Sequence, residues 1–315
     1  MKHLLLAAAA ASLVLPVHAE EPAPVPSPGE IAAAAPADDW VSIAPSDLLV
    51  MDLAPDAKGK PRRVVIQLMP APFSQGWIGN IRRLAAAHWW DGTSVNRVQD
   101  NYVAQWGDAT EKKALPEGLA TIPESGYETS RIAYHGQPGE GGTTRRLLSS
   151  PVATDAYSSQ AGFLDGWPVA RKKDTIWPVH CYAMVGVGRN MSPDTGTGAE
   201  LYAVIGHAPR HLDRNIAVVG RVISGIEHLS SLPRGTGALG FYEDEAQRVG
   251  IEKIRLATEL PFAEQPRFEF LSTESDSFSR YADARQNRRD PFFITPAGGA
   301  DICNIPVPVR AVGAK

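Results

Sequence analysis

The chain has 315 residues, 43% of them hydrophobic and 21% charged, which is the composition of a soluble globular protein with a sizeable core. Its formal net charge of −4 argues against the basic surface that a nucleic-acid-binding protein needs. We therefore expect no nucleic acid among its partners.

The N-terminal residues have the pattern of an export signal. Lys2 and His3 precede an apolar run over residues 4–15, and small residues end the pattern at Ala19. The run is too short to span a bilayer, and no later segment is apolar over the length that a membrane helix requires. We therefore predict a signal peptide over residues 1–19 and a mature protein that is periplasmic and not inserted in a membrane.

Three further segments follow in the chain. Residues 20–40 are rich in Pro and Ala and lack large apolar residues, so we predict a flexible tether. Residues 41–260 carry the periodic apolar runs of a folded domain. Residues 261–315 form a C-terminal extension, which we expect to be mostly irregular and to lie against that domain.

The apolar patterns of the domain predict mainly β structure with two helices. Short or alternating apolar runs bounded by turn residues predict strands, and a stripe of apolar residues at helical spacing after Ser74 predicts a capped helix. In chain order, the predicted elements are a hairpin (47–53 and 63–69), a helix (74–88), a hairpin (94–98 and 102–106), three strands (180–187, 200–205 and 216–222), a helix (225–232) and a strand (251–256). The polar residues 109–176, rich in Gly, Ser and Thr, predict a long loop.

The second hairpin carries the most specific pattern of the chain. It reads DGTSVNRVQDNYVAQWGD from Asp91 to Asp108 and sets Arg97 and Gln105 among apolar and aromatic neighbours. A guanidinium and a carboxamide are costly to bury without partners. Either Arg97 is solvated on an ordinary hairpin, or the two residues belong to a site.

The whole run resembles the signature of the cyclophilin-type peptidyl-prolyl isomerases. The residues that carry the resemblance are Trp90-Asp91-Gly92-Thr93, Arg97-Val98, Tyr102-Val103 and Gln105-Trp106-Gly107-Asp108. A second group of matching residues is Tyr182-Ala183-Met184-Val185, Ala199-Glu200-Leu201-Tyr202, Leu212-Asp213 and Val219-Gly220-Arg221-Val222. The resemblance spans roughly residues 47–260 and implies a closed barrel of eight antiparallel strands capped by two helices.

The resemblance also implies an activity and a set of site residues. The activity is cis-trans isomerisation of X-Pro bonds in exported polypeptides, with no cofactor and no metal. By motif position, the catalytic residues are Arg97, Gln105 and Tyr102. The implied substrate-binding residues are Val103, Val185, Tyr202, His211, Leu212 and Ile216.

The chain departs from the commonest family residues at several motif positions, which leaves the strength of catalysis open. The departures are Val95, Asn96, Trp106, Val185, Tyr202, His211 and Ile216. The alternative function is a catalytically weak or inactive cyclophilin-like binding or chaperone module, which the long loop and the C-terminal extension favour. Retention of Arg97 together with Gln105 favours the enzyme.

Two hydrolase classes are disfavoured by the motifs. His207 and His211 have helical spacing, but Pro209 lies between them and no His-Glu-x-x-His pattern occurs, so a metal hydrolase is not indicated. No Gly-x-Ser-x-Gly elbow occurs, so a serine hydrolase is not indicated either. The two cysteines, Cys181 and Cys303, are compatible with either a disulfide or a pair of free thiols in an oxidising compartment.

Overall fold

The computed structural model describes residues 25–130 and 155–313, and the predicted signal peptide lies outside these residues. The described chain forms a closed eight-stranded antiparallel barrel, which confirms the predicted fold class. Its strands are β2 (Leu48–Leu53), β3 (Arg62–Leu68), β4 (Ser94–Val98), β5 (Val103–Gly107), β10 (Met184–Val187), β11 (Leu201–Val204), β12 (Val218–Ser224) and β13 (Val249–Leu256). Around the barrel the order is β10-β11-β5-β4-β13-β2-β3-β12. Closure leaves no exposed strand edge in this sheet.

Two helices lie between barrel strands in the chain. Helix α2 (Gln75–Ala86) packs the whole predicted apolar stripe into the core, with Trp77, Ile78, Ile81, Leu84 and Ala85 all buried. Helix α3 (Glu227–Ser230) is one turn, shorter than predicted. No helix of the described residues has the length and hydropathy of a membrane span.

The prediction that the Ser74 side chain caps α2 is wrong. Ser74 does occupy the N-cap position, but its φ is 53° and its side chain makes no capping hydrogen bond. The Ser74 hydroxyl instead donates to the Val218 carbonyl at 2.7 Å. The buried residue therefore joins the start of the helix to β12.

A second layer of structure covers the barrel where the sequence predicts a loop. Strands β6 (Thr129–Ser130), β7 (Gln160–Leu164), β8 (Trp167–Lys172) and β9 (Thr175–Pro178) form a sheet in the order β6-β9-β8-β7. The buried residues are consecutive in three of these strands, over 161–164 in β7, 167–170 in β8 and 176–178 in β9. Strands that are buried on both faces lack the alternation that identifies a strand in sequence.

Both ends of the described chain are also more regular than predicted. The predicted tether contains helix α1 (Pro28–Ala33), capped by Ser27 and Glu30 in a capping box, and strand β1 (Trp40–Ser42) begins at its last residue. The C-terminal extension, expected to be mostly irregular, contains β14 (Phe268–Leu271), α4 (Asp276–Gln286) and β15 (Val309–Ala311). Strands β1, β14 and β15 pair in one sheet, so the two ends fold together.

Candidate active site

A cavity of about 630 Å³ lies on the outer face of β4, β5 and β11. The face is set by alternation, because Ala104 and Leu201 point into the barrel core while Val103 and Tyr202 point outward. Seven of the nine residues predicted for catalysis or substrate binding line the cavity. They are Arg97, Tyr102, Val103, Gln105, Tyr202, Leu212 and Ile216.

Arg97 lies on β4 with its guanidinium held by neutral oxygen acceptors. Nε donates to the Leu239 carbonyl at 2.7 Å, Nη1 donates to Gln105 Oε1 at 3.0 Å, and Nη2 donates to Gln99 Oε1. The cation also lies 5.8 Å from the ring centroid of Tyr102 and 5.5 Å from that of Phe241. Burial lowers the pKa of Arg97, and among the contacts described for its guanidinium there is no carboxylate. The positive charge is therefore fixed in place and uncompensated by these partners.

An apolar pocket lies beside this cation. Val103, Tyr202 and Val204 form its buried base, and Tyr102, Leu212 and Ile216 pack against them with part of their surface exposed. Leu212 and Ile216 come from the loop between β11 and β12, where Ile216 N donates to the Leu212 carbonyl at 3.1 Å. The pocket has the apolar walls and the nearby polar groups expected of a small-molecule or side-chain site.

Gln105 connects Arg97 to a partly buried carboxyl group. It pairs with Tyr202 across β5 and β11, and its side chain is hydrogen-bonded to that of Glu200. Gly107 leaves the space that this carboxyl group occupies, since a Cβ there would lie 1.9 Å from Glu200 Oε1. Burial raises the pKa of Glu200 to about 7, against the opposing effect of its hydrogen bonds to Gln105, Asn96 and the Asp108 backbone.

Behind the pocket, a buried polar chain supports Tyr202. The Tyr202 hydroxyl lies 3.1 Å from His180 Nε2, and His180 Nδ1 lies 3.1 Å from Asp213 Oδ1. A carboxylate only accepts, so Nδ1 donates to Asp213, and in the neutral ring Nε2 accepts from the tyrosine. Asp213 also accepts from Arg210 Nε at 2.7 Å, and Arg210 Nη1 lies 2.8 Å from Asp155 Oδ2.

The charges of this chain compensate one another. Burial opposes ionisation of Asp213, but the hydrogen bonds of His180 and the charge of Arg210 outweigh it and hold the pKa of Asp213 below its usual value. Burial likewise opposes the charge of Arg210, but Asp213 and Asp155 outweigh it and raise the pKa of Arg210. The chain is therefore a charge-compensated structural network.

The structure places two predicted substrate-binding residues away from the cavity wall. Val185 is 1% exposed and belongs to the interior core, because Gly186 is the β10 residue that faces Tyr202. A Cβ on Gly186 would lie 2.3 Å from the Tyr202 hydroxyl oxygen. His211 is exposed and stacks on Tyr102 at 6.3 Å between ring centroids, outside the set of residues that line the cavity.

The strand predicted over residues 180–187 is correspondingly shorter. Ala183 has φ 68°, and Met184 N bonds to the Cys181 carbonyl at 3.1 Å, so a turn precedes β10. Cys181, at this turn, is joined to Cys303 by a disulfide across 122 residues. The bridge fastens the C-terminal extension next to His180, and the alternative of two free thiols is wrong for this structure.

Sequence reasoning missed the loop over residues 235–242 and the two basic residues of the buried chain, His180 and Arg210. Leu239 and Phe241 line the cavity beside Arg97. Leu239 lies 142 positions after Arg97 in the chain. His180 lies 33 positions from Asp213 and 22 from Tyr202. No local pattern connects residues at such separations.

A family model and several solved structures are similar to this chain. The family model described as cyclophilin type peptidyl-prolyl cis-trans isomerase/CLD matches residues 61–255. The crystal structure of cyclophilin AquaCyp293 from Hirschia baltica is similar with a TM-score of 0.63 and 20% identity, covering 86% of this chain and 93% of that one. A cyclophilin type peptidyl-prolyl cis-trans isomerase from Cryptosporidium parvum has a TM-score of 0.38 and 12% identity, covering 67% of this chain and 96% of that one.

The search of curated proteins finds no match. The family model covers well over half of the chain and includes all nine residues predicted for the site. The chain belongs to the cyclophilin-type peptidyl-prolyl cis-trans isomerase family.

Proposed function

We propose that the protein is an active peptidyl-prolyl cis-trans isomerase whose catalytic cation is Arg97. The observation that carries the proposal is the position of Arg97, which is held by neutral acceptors at the edge of an apolar pocket. The pocket formed with Val103, Tyr202 and Leu212 has the apolar lining that a prolyl ring needs.

The chemistry follows from the barrier to rotation about an X-Pro bond. Rotation breaks amide resonance, which costs about 18–20 kcal/mol and makes the uncatalysed reaction take tens of seconds. In the twisted amide the prolyl nitrogen becomes pyramidal and regains a lone pair. A fixed cationic donor at that nitrogen stabilises the transition state more than either planar isomer.

The geometry leaves Arg97 able to donate to a substrate. A guanidinium has five N–H groups, and the contacts described above use three of them. Two therefore remain for a substrate amide, and the three occupied ones restrain the group before substrate arrives. Gln105, hydrogen-bonded to both Arg97 and Glu200, would position the substrate backbone.

The test is a proline-isomerisation assay on a short X-Pro peptide with the wild-type chain, Arg97→Ala and the control Arg83→Ala. Arg83 is an exposed arginine of α2 whose Nη1 donates to the Gly118 carbonyl, and it is not among the residues that line the cavity. We expect Arg97→Ala to lower kcat/KM by about 10²–10³, the usual cost of removing one preorganised donor, and Arg83→Ala to leave it unchanged. A wild-type chain that is folded, binds the peptide and does not accelerate isomerisation would instead indicate a binding or chaperone module.

We also propose that the substrates are proline-containing polypeptides of the periplasm. The support is the signal-peptide pattern of residues 1–19, which are outside the described residues, and the presence of a disulfide, which oxidising compartments favour. Fractionation of producing bacterial cells and mass determination of the recovered protein test this. A full-length chain confined to the cytoplasm would contradict it.

A further inference from the structure

The loop over residues 235–242 presents two large apolar side chains at the rim of the cavity. Leu239 is 66% exposed and Phe241 is 39% exposed, and both line the cavity next to Arg97. Large apolar residues exposed side by side at a cavity rim often mark a contact surface for a ligand.

The loop is hydrogen-bonded to β4 on the same side of the strand as β13. Gly235 N donates to the Val98 carbonyl at 2.9 Å and Tyr242 N donates to the Asn96 carbonyl at 3.0 Å, so the loop continues the sheet past the end of β13. Phe241 forms a bridge to Arg97 in the same manner. Gly240, at φ 82°, packs directly on the neighbouring turn, where an added Cβ would lie 2.8 Å from Gln99 Cα.

The backbone at Leu239 is held in a conformation that favours glycine. Its φ is 56° and its ψ is 15°, in the left-handed region that side-chain-bearing residues rarely adopt. This conformation directs the Leu239 carbonyl to Arg97 Nε at 2.7 Å. A glycine would supply the same carbonyl with less strain, so the contact with Arg97 does not explain the leucine side chain. Its exposure shows that core packing does not explain it either.

We propose that Leu239 and Phe241 form an apolar subsite that selects X-Pro bonds with a large apolar side chain next to the proline. The inference rests on the proposed isomerase function. Phe241 lies 5.5 Å from the Arg97 guanidinium, and a neighbouring residue of an extended substrate is displaced from the prolyl residue by about 3.3 Å. A side chain adjacent to a proline held beside Arg97 therefore reaches the two apolar residues.

The test uses two series of short peptides and reads a ratio of rates. In one series the residue before proline is Gly, Ala, Leu or Phe, and in the other the residue after it varies in the same way. We expect the wild-type chain to favour Leu or Phe over Gly by about 10-fold in kcat/KM in one series, which is the size of discrimination that an apolar pocket provides. We expect Leu239→Gly to reduce this ratio to below about 3-fold, because it removes the side chain and suits the observed φ.

Leu115 provides a matched control. It is another exposed leucine that lines the same cavity, at 45% exposure. We expect Leu115→Gly to keep the wild-type ratio, and thermal unfolding should show that both variants are folded. The inference is overturned if the ratio is near one in both wild-type series. It is also overturned if the preference persists in Leu239→Gly or disappears in Leu115→Gly. If the folded wild-type chain accelerates no peptide of either series, both the proposed isomerase function and the subsite are overturned. If it accelerates all peptides equally, only the subsite is overturned.

Discussion

Two arginines of this protein show how the surroundings of a charge separate a site from a structural element. Arg97 faces a cavity, is held by amide and carbonyl oxygens, and has its pKa lowered by burial. Arg210, only 3% exposed, is held between Asp213 and Asp155, whose charges raise its pKa against the effect of burial. The described partners of Arg97 leave its charge uncompensated, whereas two carboxylates inside the fold compensate the charge of Arg210.

The two regions meet at Tyr202. One face of its ring is part of the pocket next to Arg97, and its hydroxyl bonds to His180 of the network around Arg210. The network also reaches the outer layer, since Asp155 lies five residues before β7 and Cys303 ties the extension beside His180. The comparison implies that changes on the Arg97 side affect activity and changes on the Arg210 side affect stability.

The largest stability effect is expected for Arg210→Met. It leaves Asp213 and Asp155 buried without their cation, and breaking a buried pair in this way costs about 3–5 kcal/mol. Arg97→Ala should change the free energy of unfolding by less than about 1 kcal/mol, because no described carboxylate loses its partner. Urea unfolding of both variants measures this. Equal losses in the two variants would contradict the distinction between the arginines.

Removal of the disulfide is expected to cost about 2–4 kcal/mol of unfolding free energy. Cys181 and Cys303 close a long loop, and opening it restores freedom to the unfolded chain. The double variant Cys181→Ser/Cys303→Ser should therefore unfold at lower urea concentration while its folded form still isomerises X-Pro peptides. Wild-type protein treated with reductant serves as the comparison, after both thiols have been shown to be free. An unchanged urea midpoint in the reduced protein would contradict a stabilising role of the disulfide.

Tyr202→Phe should affect stability more than activity. The substitution keeps the ring that lines the pocket but removes the hydroxyl that bonds to the fully buried His180. A buried group left without its partner costs about 1–3 kcal/mol. The measurement is the unfolding free energy together with kcat/KM on one X-Pro peptide. A large loss of kcat/KM with unchanged stability would mean that the hydroxyl serves the reaction and not the network.

The smallest effect is expected for the pH dependence due to Glu200. Its folded pKa of about 7 exceeds the ordinary value of 4.5, so between these pH values the folded state binds more protons than the unfolded state. Stability therefore falls as pH rises through this window, by about 1 kcal/mol once solvent screening is allowed for. Glu200→Gln should flatten the dependence between pH 4.5 and 8, measured by urea unfolding. Identical slopes in variant and wild type would show that Glu200 does not titrate in this way.

The sequence was most informative where one face of a strand is buried and where the motif is local. Arg97 and Gln105 lie eight residues apart on one hairpin, so their meeting could be predicted from the resemblance and the pattern together. Val185 is assigned to substrate binding only by its position in the family motif, and this assignment fails because Val185 lies in the core. The register of β10 against β11 sets Gly186 opposite Tyr202 and turns Val185 into the core, and position in the motif alone does not fix that register.

The outer layer could not be predicted for a different reason. Strands β7 to β9 are buried on both faces, so they lack alternation, and the sheet of β1, β14 and β15 joins residues more than 200 positions apart, as in the pairing of Trp40 with Leu271. The disulfide and the bond between Arg97 and Leu239 depend on the same long-range folding. No local sequence pattern indicates contacts between residues so far apart in the chain.

The most direct test of the account is two-dimensional exchange NMR on an X-Pro peptide, with wild-type protein and Arg97→Ala compared at equal peptide saturation. The method measures binding from the peptide shifts and catalysis from the cis-trans exchange rate in the same sample. We predict that Arg97→Ala still binds the peptide through the apolar pocket but that its exchange rate at saturation falls by about 100-fold. An exchange rate equal to that of wild type at equal saturation would contradict the claim that Arg97 is the catalytic cation.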